Sequence, residues 1–256
     1  MNKVFLQLLR RDLTIFRREY FSKFIDTVII FTNNVLIFGY FMQGQGLSAS
    51  YGPFLLVAAI GSFGLIEIVG KVGLFLNDLE GDRAISQLLI MPIRSELVFI
   101  YMGVFWAISS MALAAILFPI GKLLLWTHFD LAAISYIRLV AIFLTGSLFF
   151  GSFALWLSSV IPGISSLNTL WLRYIVPLWM FGTYFFSWET AYDLSPIIGS
   201  VLLINPLVYV IEGMRAACLG QAGYLPYWVS LLALWGFIFA CTAHAIKRLK
   251  RILDCV

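Results

Sequence analysis

Side chains that could carry out chemistry are few in this sequence. The two histidines, His128 and His244, lie far apart, and neither has a cysteine or carboxylate at the spacing of a metal site. The three cysteines, Cys218, Cys241 and Cys255, form no CxxC pair. We therefore expect no catalytic residue, no metal site and no cofactor bound by this chain, and we expect that it is not an enzyme.

Segment 64–71 (GLIEIVGK) has the lysine and the two glycines of a phosphate-binding loop, but not its spacing. Five residues separate the glycines instead of four, and no Ser or Thr follows the lysine. We reject this segment as a nucleotide site. If the protein works by ATP hydrolysis, ATP and Mg²⁺ must bind to a separate chain.

Polar side chains inside apolar segments are costly, and for that reason they are functional candidates. Glu67 and Lys71 are four residues apart, so they can neutralise each other on one helix face, and we expect this pair rather than a proton relay. Asn33 and Asn34 fall near the middle of the first apolar segment. They could hydrogen-bond across a helix interface or line a substrate path.

The elements that must position these residues are strongly apolar. Hydrophobic residues make up 61% of the 256 residues and charged residues 12%, against roughly 45–50% and about 25% in soluble domains. This composition excludes an ordinary soluble domain and a disordered chain. Windows long enough to cross a bilayer fall at 24–43, 53–76, 98–121, 136–160, 171–187 and 226–245. The predicted fold class is an all-α polytopic membrane protein with six transmembrane helices; five or seven are alternatives.

Two kinds of shorter element complete the predicted fold. Residues 1–22 place apolar residues on one helix face and Lys and Arg on a neighbouring face, a pattern typical of an amphipathic interfacial helix. This helix could be an anchor only, or could also line a docking surface for a partner. Within the outer segment 188–224, the apolar stretches 197–204 and 206–219 are too short to span, so we expect re-entrant or interfacial helices.

The distribution of Lys and Arg predicts the orientation. With both termini in the cytoplasm, fourteen of the seventeen Lys and Arg lie on the inner side, and only Lys122, Arg138 and Arg215 lie outside. The opposite orientation would reverse this ratio. Loop 77–97 then faces the cytoplasm, where a short helix over 82–91 could receive a push from a soluble motor. A helical connector without a partner is the alternative.

Segment 205–215 (NPLVYVIEGMR) is the most specific feature of the sequence. Asn205-Pro206 is a turn and helix-start signal. Glu212 and Arg215 are three residues apart and can pair on the helix that follows. Their apolar surroundings predict a helix that dips into the outer leaflet. The alternative is an interfacial loop whose charges face water.

The pattern N-P-L-x-Y-x-x-E-x-x-R at 205–215, between a fifth and a sixth apolar segment, resembles that of ABC-2 type transporter permeases. Segment 86–93 (SQLLIMPI) is similar to the family's cytoplasmic coupling segment, which has a Leu-Leu pair followed by Pro. The resemblance covers the whole chain as one domain, 1–256. It implies an exporter subunit of the bacterial inner membrane, with two permease copies as a homodimer and two separate ATP-binding subunits that hold ATP and Mg²⁺. Membrane lipid is an expected partner and nucleic acid is not.

The resemblance and the motifs together nominate three groups of site residues. The ATPase-coupling residues are Glu80, Asp82, Arg83, Ser86, Leu88, Leu89 and Pro92. The outer re-entrant gate consists of Asn205, Pro206, Tyr209, Glu212 and Arg215. The possible substrate path includes Asn33, Asn34, Trp179 and Tyr184. Where the family has Gly-Thr and an acid two residues later, this chain has Arg83-Ala84 and Ser86, so the acidic contact is expected from Glu80 or Asp82.

The expected substrate is hydrophobic, lipid-linked or a glycan. Aromatic residues are 16% of the chain and crowd the fifth apolar window. They would suit stacking on sugar rings, although Trp and Tyr are also common at membrane interfaces. Two other function classes stay open. One is an ion-coupled secondary transporter, which would be expected to show inverted repeats, and the other is a non-transporting membrane scaffold.

Overall fold

The computed structural model describes residues 6–41, 46, 48, 50–81, 85, 94–126 and 129–253, and the backbone of residues 2–5. Helices account for 83% of the described residues, which contain no strand. The long helices are α1 (Asn2–Leu36), α2 (Tyr51–Glu80), α3 (Ser95–Ala115), α5 (Tyr136–Val160) and α11 (Tyr227–Ile252).

Shorter helices connect and cap the long ones. They are α4 (Leu117–Leu124), α6 (Leu167–Leu170), α7 (Val176–Met180), α8 (Trp188–Leu194), α9 (Pro196–Leu202) and α10 (Pro206–Cys218). A π-helical turn, Ile37–Phe41, extends α1, a second, Trp171–Ile175, joins α6 to α7, and a 3₁₀ turn, Ile164–Ser166, precedes α6.

Five helical segments in the described ranges are long and apolar enough to cross a membrane. They are Leu6–Phe41, Tyr51–Glu80, Ser95–Leu124, Tyr136–Val160 and Tyr227–Ile252. A sixth is present if α9 and α10, which are bent by 98° at a short break, count as one broken span. The predicted class, an all-helical chain with several membrane-spanning helices, is therefore confirmed at this level.

The fifth predicted window, 171–187, is not a single long helix. Helical turns run from Ile164 to Met180, and the chain then leaves the helix over 181–187 before Ser187 caps α8 by accepting a hydrogen bond from Thr190 N. The carbonyl groups of residues 183–186 bind side chains instead of continuing the helix. Apolar composition alone could not indicate this exit, because the side chains involved lie elsewhere in the sequence.

The helix boundary expected near residue 22 is absent. No Gly or Pro occurs between Asn2 and Leu36, and α1 runs through this whole stretch without a break. The Tyr101 hydroxyl donates to Leu8 O at 3.1 Å, and the Tyr20 hydroxyl donates to Ala112 O at 3.1 Å. These bonds place α1 alongside α3 with the two helices parallel, so the basic segment, from Asn2 onward, is part of the first long helix.

Helix α5 lies at the centre of the bundle and packs against α2, α3, α10 and α11. Glycines make two of these approaches close. A Cβ atom at Gly151 would collide with the carbonyl oxygen of Gly103 on α3, and one at Gly64 on α2 would collide with the Phe150 ring. Gly64 thus allows α2 and α5 to pack closely, whereas Gly70 faces open space.

Candidate functional site

Helix α10 begins where the sequence predicts. The Asn205 side chain accepts a hydrogen bond from Leu207 N at 3.0 Å, and Pro206 occupies the first turn, where its missing N–H is harmless. Asn205 Nδ2 also donates to Leu178 O at 2.8 Å, and the Tyr209 hydroxyl donates to Leu203 O at 2.8 Å. Every residue of α10 is buried, so the alternative of a loop with its charges in water is wrong.

Arg215 lies completely buried and binds the backbone of the 181–187 turn. Its Nη1 atom donates to Thr183 O at 2.7 Å and to Phe186 O at 3.1 Å, and its Nη2 atom donates to Tyr184 O at 2.8 Å. The guanidinium also lies over the Phe54 ring of α2, 3.4 Å from its centroid. The fork of N–H donors therefore fixes a non-helical turn against α10 and α2.

Glu212 neutralises this cation and also binds the loop between α10 and α11. Its Oε1 atom lies 3.1 Å from Arg215 Nη1 and accepts a hydrogen bond from Trp188 N at 3.2 Å. Its Oε2 atom accepts from Leu225 N at 3.1 Å. The predicted Glu212–Arg215 pair is confirmed, and both side chains have 0% exposure. We call these two residues and the backbone groups that they bind the Arg215 clamp.

The turn held by the Arg215 clamp is strained. Thr183 has a φ of 60°, in the left-handed region that a β-branched residue rarely adopts. Such a conformation costs roughly 1–3 kcal/mol and persists only where surrounding contacts enforce it. Those contacts are the Arg215 bonds to the carbonyls of Thr183 and Tyr184, together with the Tyr51 hydroxyl, which donates to Phe185 O at 2.8 Å.

A cavity of about 900 Å³ lies beside this turn, between α1, α2 and α3. This volume falls in the range of ligand pockets, roughly 300–1,000 Å³. Three of the four predicted substrate-path residues line the cavity, namely Asn34, Trp179 and Tyr184, whereas Asn33 is exposed and does not line it. Asn34 lines the cavity and also accepts a hydrogen bond from Tyr184 of the non-helical 181–187 turn, so its partner is not on a second helix.

Tyr184 connects the cavity to the Arg215 clamp. Its carbonyl accepts from Arg215, its hydroxyl donates to Asn34 Oδ1 at 3.0 Å, and its ring lies 5.0 Å from the Trp179 ring, centroid to centroid. The buried Tyr184 thus joins the non-helical turn to α1 through its hydroxyl. The clamp thus positions one wall of the cavity.

Charged residues line one end of the cavity, together with the aromatic residues Phe16, Phe105 and Trp106. The charged lining residues are Asp12, Glu19, Lys23 and Asp26 of α1 and Glu67 and Lys71 of α2. The opposite end is lined by Phe31, Phe63, Trp179 and Tyr184. Because Asp12 and Asn34 lie on one uninterrupted helix, the cavity extends about 33 Å along α1 at 1.5 Å per residue.

Glu67 and Lys71 form no direct ion pair, although the Glu67 charge still acts electrostatically on the Lys71 ammonium. The buried Lys71 Nζ instead donates to Trp106 O of α3 at 2.7 Å and to the Ser110 hydroxyl. Glu67, half-buried in the cavity wall, makes neither a hydrogen bond nor an ion pair within the part of the chain that the structure describes. The spacing on α2 permits a direct pair, but Lys71 donates its hydrogen bonds to Trp106 and Ser110 of α3 instead.

Most of the predicted ATPase-coupling residues lie outside the described residues, namely Asp82, Arg83, Ser86, Leu88, Leu89 and Pro92, and so does the helix expected over 82–91. Glu80 is described, at the end of α2. Its Oε1 atom accepts a hydrogen bond from Ile164 N at 3.0 Å, so this carboxylate contacts its own chain. The structure thus places Glu80 beside the turn that follows α5.

Sequence reasoning missed two features of the site. Nothing in the sequence marked Thr183 as strained or indicated that the Arg215 guanidinium would bind the backbone about thirty residues upstream. His244 is a smaller omission, since its Nδ1 atom accepts a hydrogen bond from Trp156 Nε1 at 2.8 Å and joins α11 to α5. A buried arginine in an apolar helix was the available signal, because such a cation requires several acceptors.

Comparison with known proteins adds no identification. No family model matches this chain, and no curated protein matches it either.

Proposed function

We propose that this chain is the membrane-spanning permease subunit of an ABC-2 type exporter in the bacterial inner membrane, with both termini in the cytoplasm. Two copies would form a homodimer, and two separate ATP-binding subunits would drive export of a hydrophobic, lipid-linked or glycan substrate. The observation that carries the proposal is that segment 205–215, which holds the family-like motif, supplies the arginine that positions Tyr184 in the wall of a large cavity.

The arrangement of α2 and α3 suggests how a motor could act on this cavity. Both helices line it, α2 through residues such as Glu67 and α3 through Trp106, and loop 77–97 joins them directly. A push on that loop would move two cavity walls together. Export requires that such a movement change the affinity for substrate, because a ligand that binds both conformations equally shifts neither.

The bend between α9 and α10 supports the re-entrant part of the proposal. The two helices meet at 98°, and each is too short to cross a bilayer by itself. Backbone that turns back at membrane depth is tolerated only where protein covers it. Helix α10 meets that condition, since all its residues are buried.

Co-purification tests the proposal. The full chain, tagged and extracted from its native membrane in mild detergent, should bring down an ATP-binding subunit in equal numbers. Ala84→Trp, in the proposed coupling loop, should weaken this association, whereas Ala222→Trp, an exposed position in the loop after α10, should not. A folded, active chain without any ATP-binding partner would contradict the proposal.

One observation favours the secondary-transporter alternative. Asp26 and Glu67 line the cavity without a hydrogen bond or an ion pair inside the described ranges, and carboxylates in such a place could carry protons. Export that continues after ATP depletion but stops with an uncoupler would favour this alternative. Export that stops with ATP depletion and tolerates the uncoupler would favour the exporter.

A further inference from the structure

The charged end of the cavity carries an excess of negative charge. Four carboxylates line it, against two ammonium groups. Two of the four already have cationic partners: Asp12 lies 2.7 Å from Arg11, and Glu19 lies 3.5 Å from Lys23. What remains is Asp26 and Glu67 against the single ammonium of Lys71.

Lys71 forms no direct ion pair with Asp26 or Glu67. Its ammonium is directed at Trp106 O and the Ser110 hydroxyl of α3. The charged end therefore has a net charge of about minus one and two carboxylates without direct partners in the described part of the chain. Glu67 is half-buried and Asp26 is exposed. The half-buried Glu67 carboxylate attracts a cation more strongly than it would in water.

The rest of the cavity suits an apolar body. Its other end is lined by aromatic and aliphatic side chains, with Trp179 and Tyr184 in ring contact at 5.0 Å. The cavity extends about 33 Å along α1, which is far longer than a compact ion. A ligand that satisfies both ends must be long, apolar and charged at one end only.

We propose that the cavity binds a monocationic amphiphile: an apolar chain or ring system that carries one protonated amine or quaternary ammonium. The cationic group lies beside Asp26 and Glu67, and the apolar part extends past Phe31 and Phe63 to Trp179 and Tyr184. This inference rests on the proposed function, since it names the substrate class of that same cavity, and it narrows the hydrophobic class expected from the sequence.

Binding to the full chain in phosphatidylcholine nanodiscs tests the inference. The probe is radiolabelled dodecyltrimethylammonium, whose charge does not depend on pH, and nanodiscs without protein give the background. Unlabelled dodecyltrimethylammonium should displace the probe, whereas dodecyl sulfate and the neutral dodecyl maltoside at the same concentration should not. Equal displacement by all three would overturn the inference, because only the apolar chain would then be recognised.

Two matched pairs of variants locate the site. Glu67→Gln should weaken probe binding about tenfold, the effect of removing one partly buried charge, and Asp193→Asn, an exposed carboxylate outside the cavity lining, should leave binding unchanged. Gly70→Trp should abolish binding, because an added side chain meets no protein atom there and fills the cavity, whereas Gly236→Trp on α11 has equal room but lies elsewhere.

The outcomes separate this inference from the exporter proposal, because probe binding needs neither ATP nor an ATPase. Unchanged affinity in Glu67→Gln, or unchanged binding in a folded Gly70→Trp chain, overturns the inference even if an ATP-binding subunit co-purifies. A Gly70→Trp chain that changes only its oligomeric state would mean that a second copy covers the cavity, which also overturns it. Charge-selective binding without any ATP-binding partner would support the ligand class and contradict the exporter.

Discussion

The Nη2 atom of Arg215 donates a hydrogen bond to the main-chain oxygen of Tyr184 at 2.8 Å, and this bond joins a fully buried cation to the wall of the cavity. Tyr184 in turn donates its hydroxyl to Asn34 at 3.0 Å. These two hydrogen bonds connect α10 to α1 through the non-helical turn. A movement of α10 would therefore displace a residue that lines the cavity.

Removal of Arg215 should destabilise the whole protein. Arg215→Ala leaves Glu212 buried without its cation and frees the carbonyls of a strained turn, a loss of roughly 3–5 kcal/mol for a broken buried pair. The thermal midpoint in detergent and the amount of protein in the membrane should both fall sharply. Arg251→Ala, an exposed arginine at the end of α11, is the control and should change neither. An unchanged midpoint for Arg215→Ala would mean that the clamp does not hold the turn.

Lys71 and Glu67 should be only weakly coupled in a double-mutant cycle, because their charges interact without a direct bond. Lys71→Ala loses the bonds to Trp106 and Ser110 and should cost about 2 kcal/mol, whereas Glu67→Ala should cost little because this carboxylate has no direct partner. The coupling between the two substitutions should be below about 0.5 kcal/mol. Thermal unfolding of the two single variants and the double variant measures it. A coupling of about 1 kcal/mol or more would restore the ion pair that helix spacing predicts.

A glycine substitution tests the close contact between α3 and α5 at the centre of the bundle. Gly151→Ala places a methyl group against the Gly103 carbonyl, and something in α3 or α5 must shift. We expect a cost of roughly 1–3 kcal/mol from overpacking. Gly236→Ala meets open space and should be neutral or stabilising by up to about 1 kcal/mol, since Ala favours helix more than Gly. Equal midpoints for the two variants would show that α3 and α5 do not approach as closely as described.

How far the sequence predicts this structure depends on whether a feature is local. The start of α10 is local, because Asn205 and Pro206 act within their own first turn, and the structure confirms it. The Glu212–Arg215 pair is also local and confirmed. The Glu67–Lys71 pair fails for a tertiary reason: acceptors on α3 lie within reach of the lysine, and a spacing rule for one helix contains no information about them.

Helix boundaries also divide into those set by local sequence and those set by tertiary contacts. Continuous apolar composition predicts a span over 171–187, yet the chain leaves the helix after Met180 because distant side chains bind the carbonyls that follow. In α1 the change from basic to apolar sequence predicts a boundary, but no helix-breaking residue is present to make one. The cavity itself is formed by three helices together, so its existence could not be predicted from any one segment.

The orientation can be tested by cysteine labelling. In a chain whose cysteines are replaced by serine, Arg94→Cys at the start of α3 and Ala222→Cys after α10 are both exposed positions. A membrane-impermeant maleimide added to intact spheroplasts should label Ala222→Cys, and should label Arg94→Cys only after permeabilisation. The reverse pattern would place the loop between α2 and α3 outside, where no cytoplasmic motor could push it.

ATP hydrolysis by material purified through a tag on this chain tests the central claim most directly. The claim is that the polypeptide is a conduit moved by an energy source on other chains. We predict vanadate-sensitive hydrolysis in a complex of two copies of this chain and two ATP-binding subunits, and no hydrolysis once those subunits are stripped away. Transport by the stripped chain alone in sealed vesicles would contradict the account.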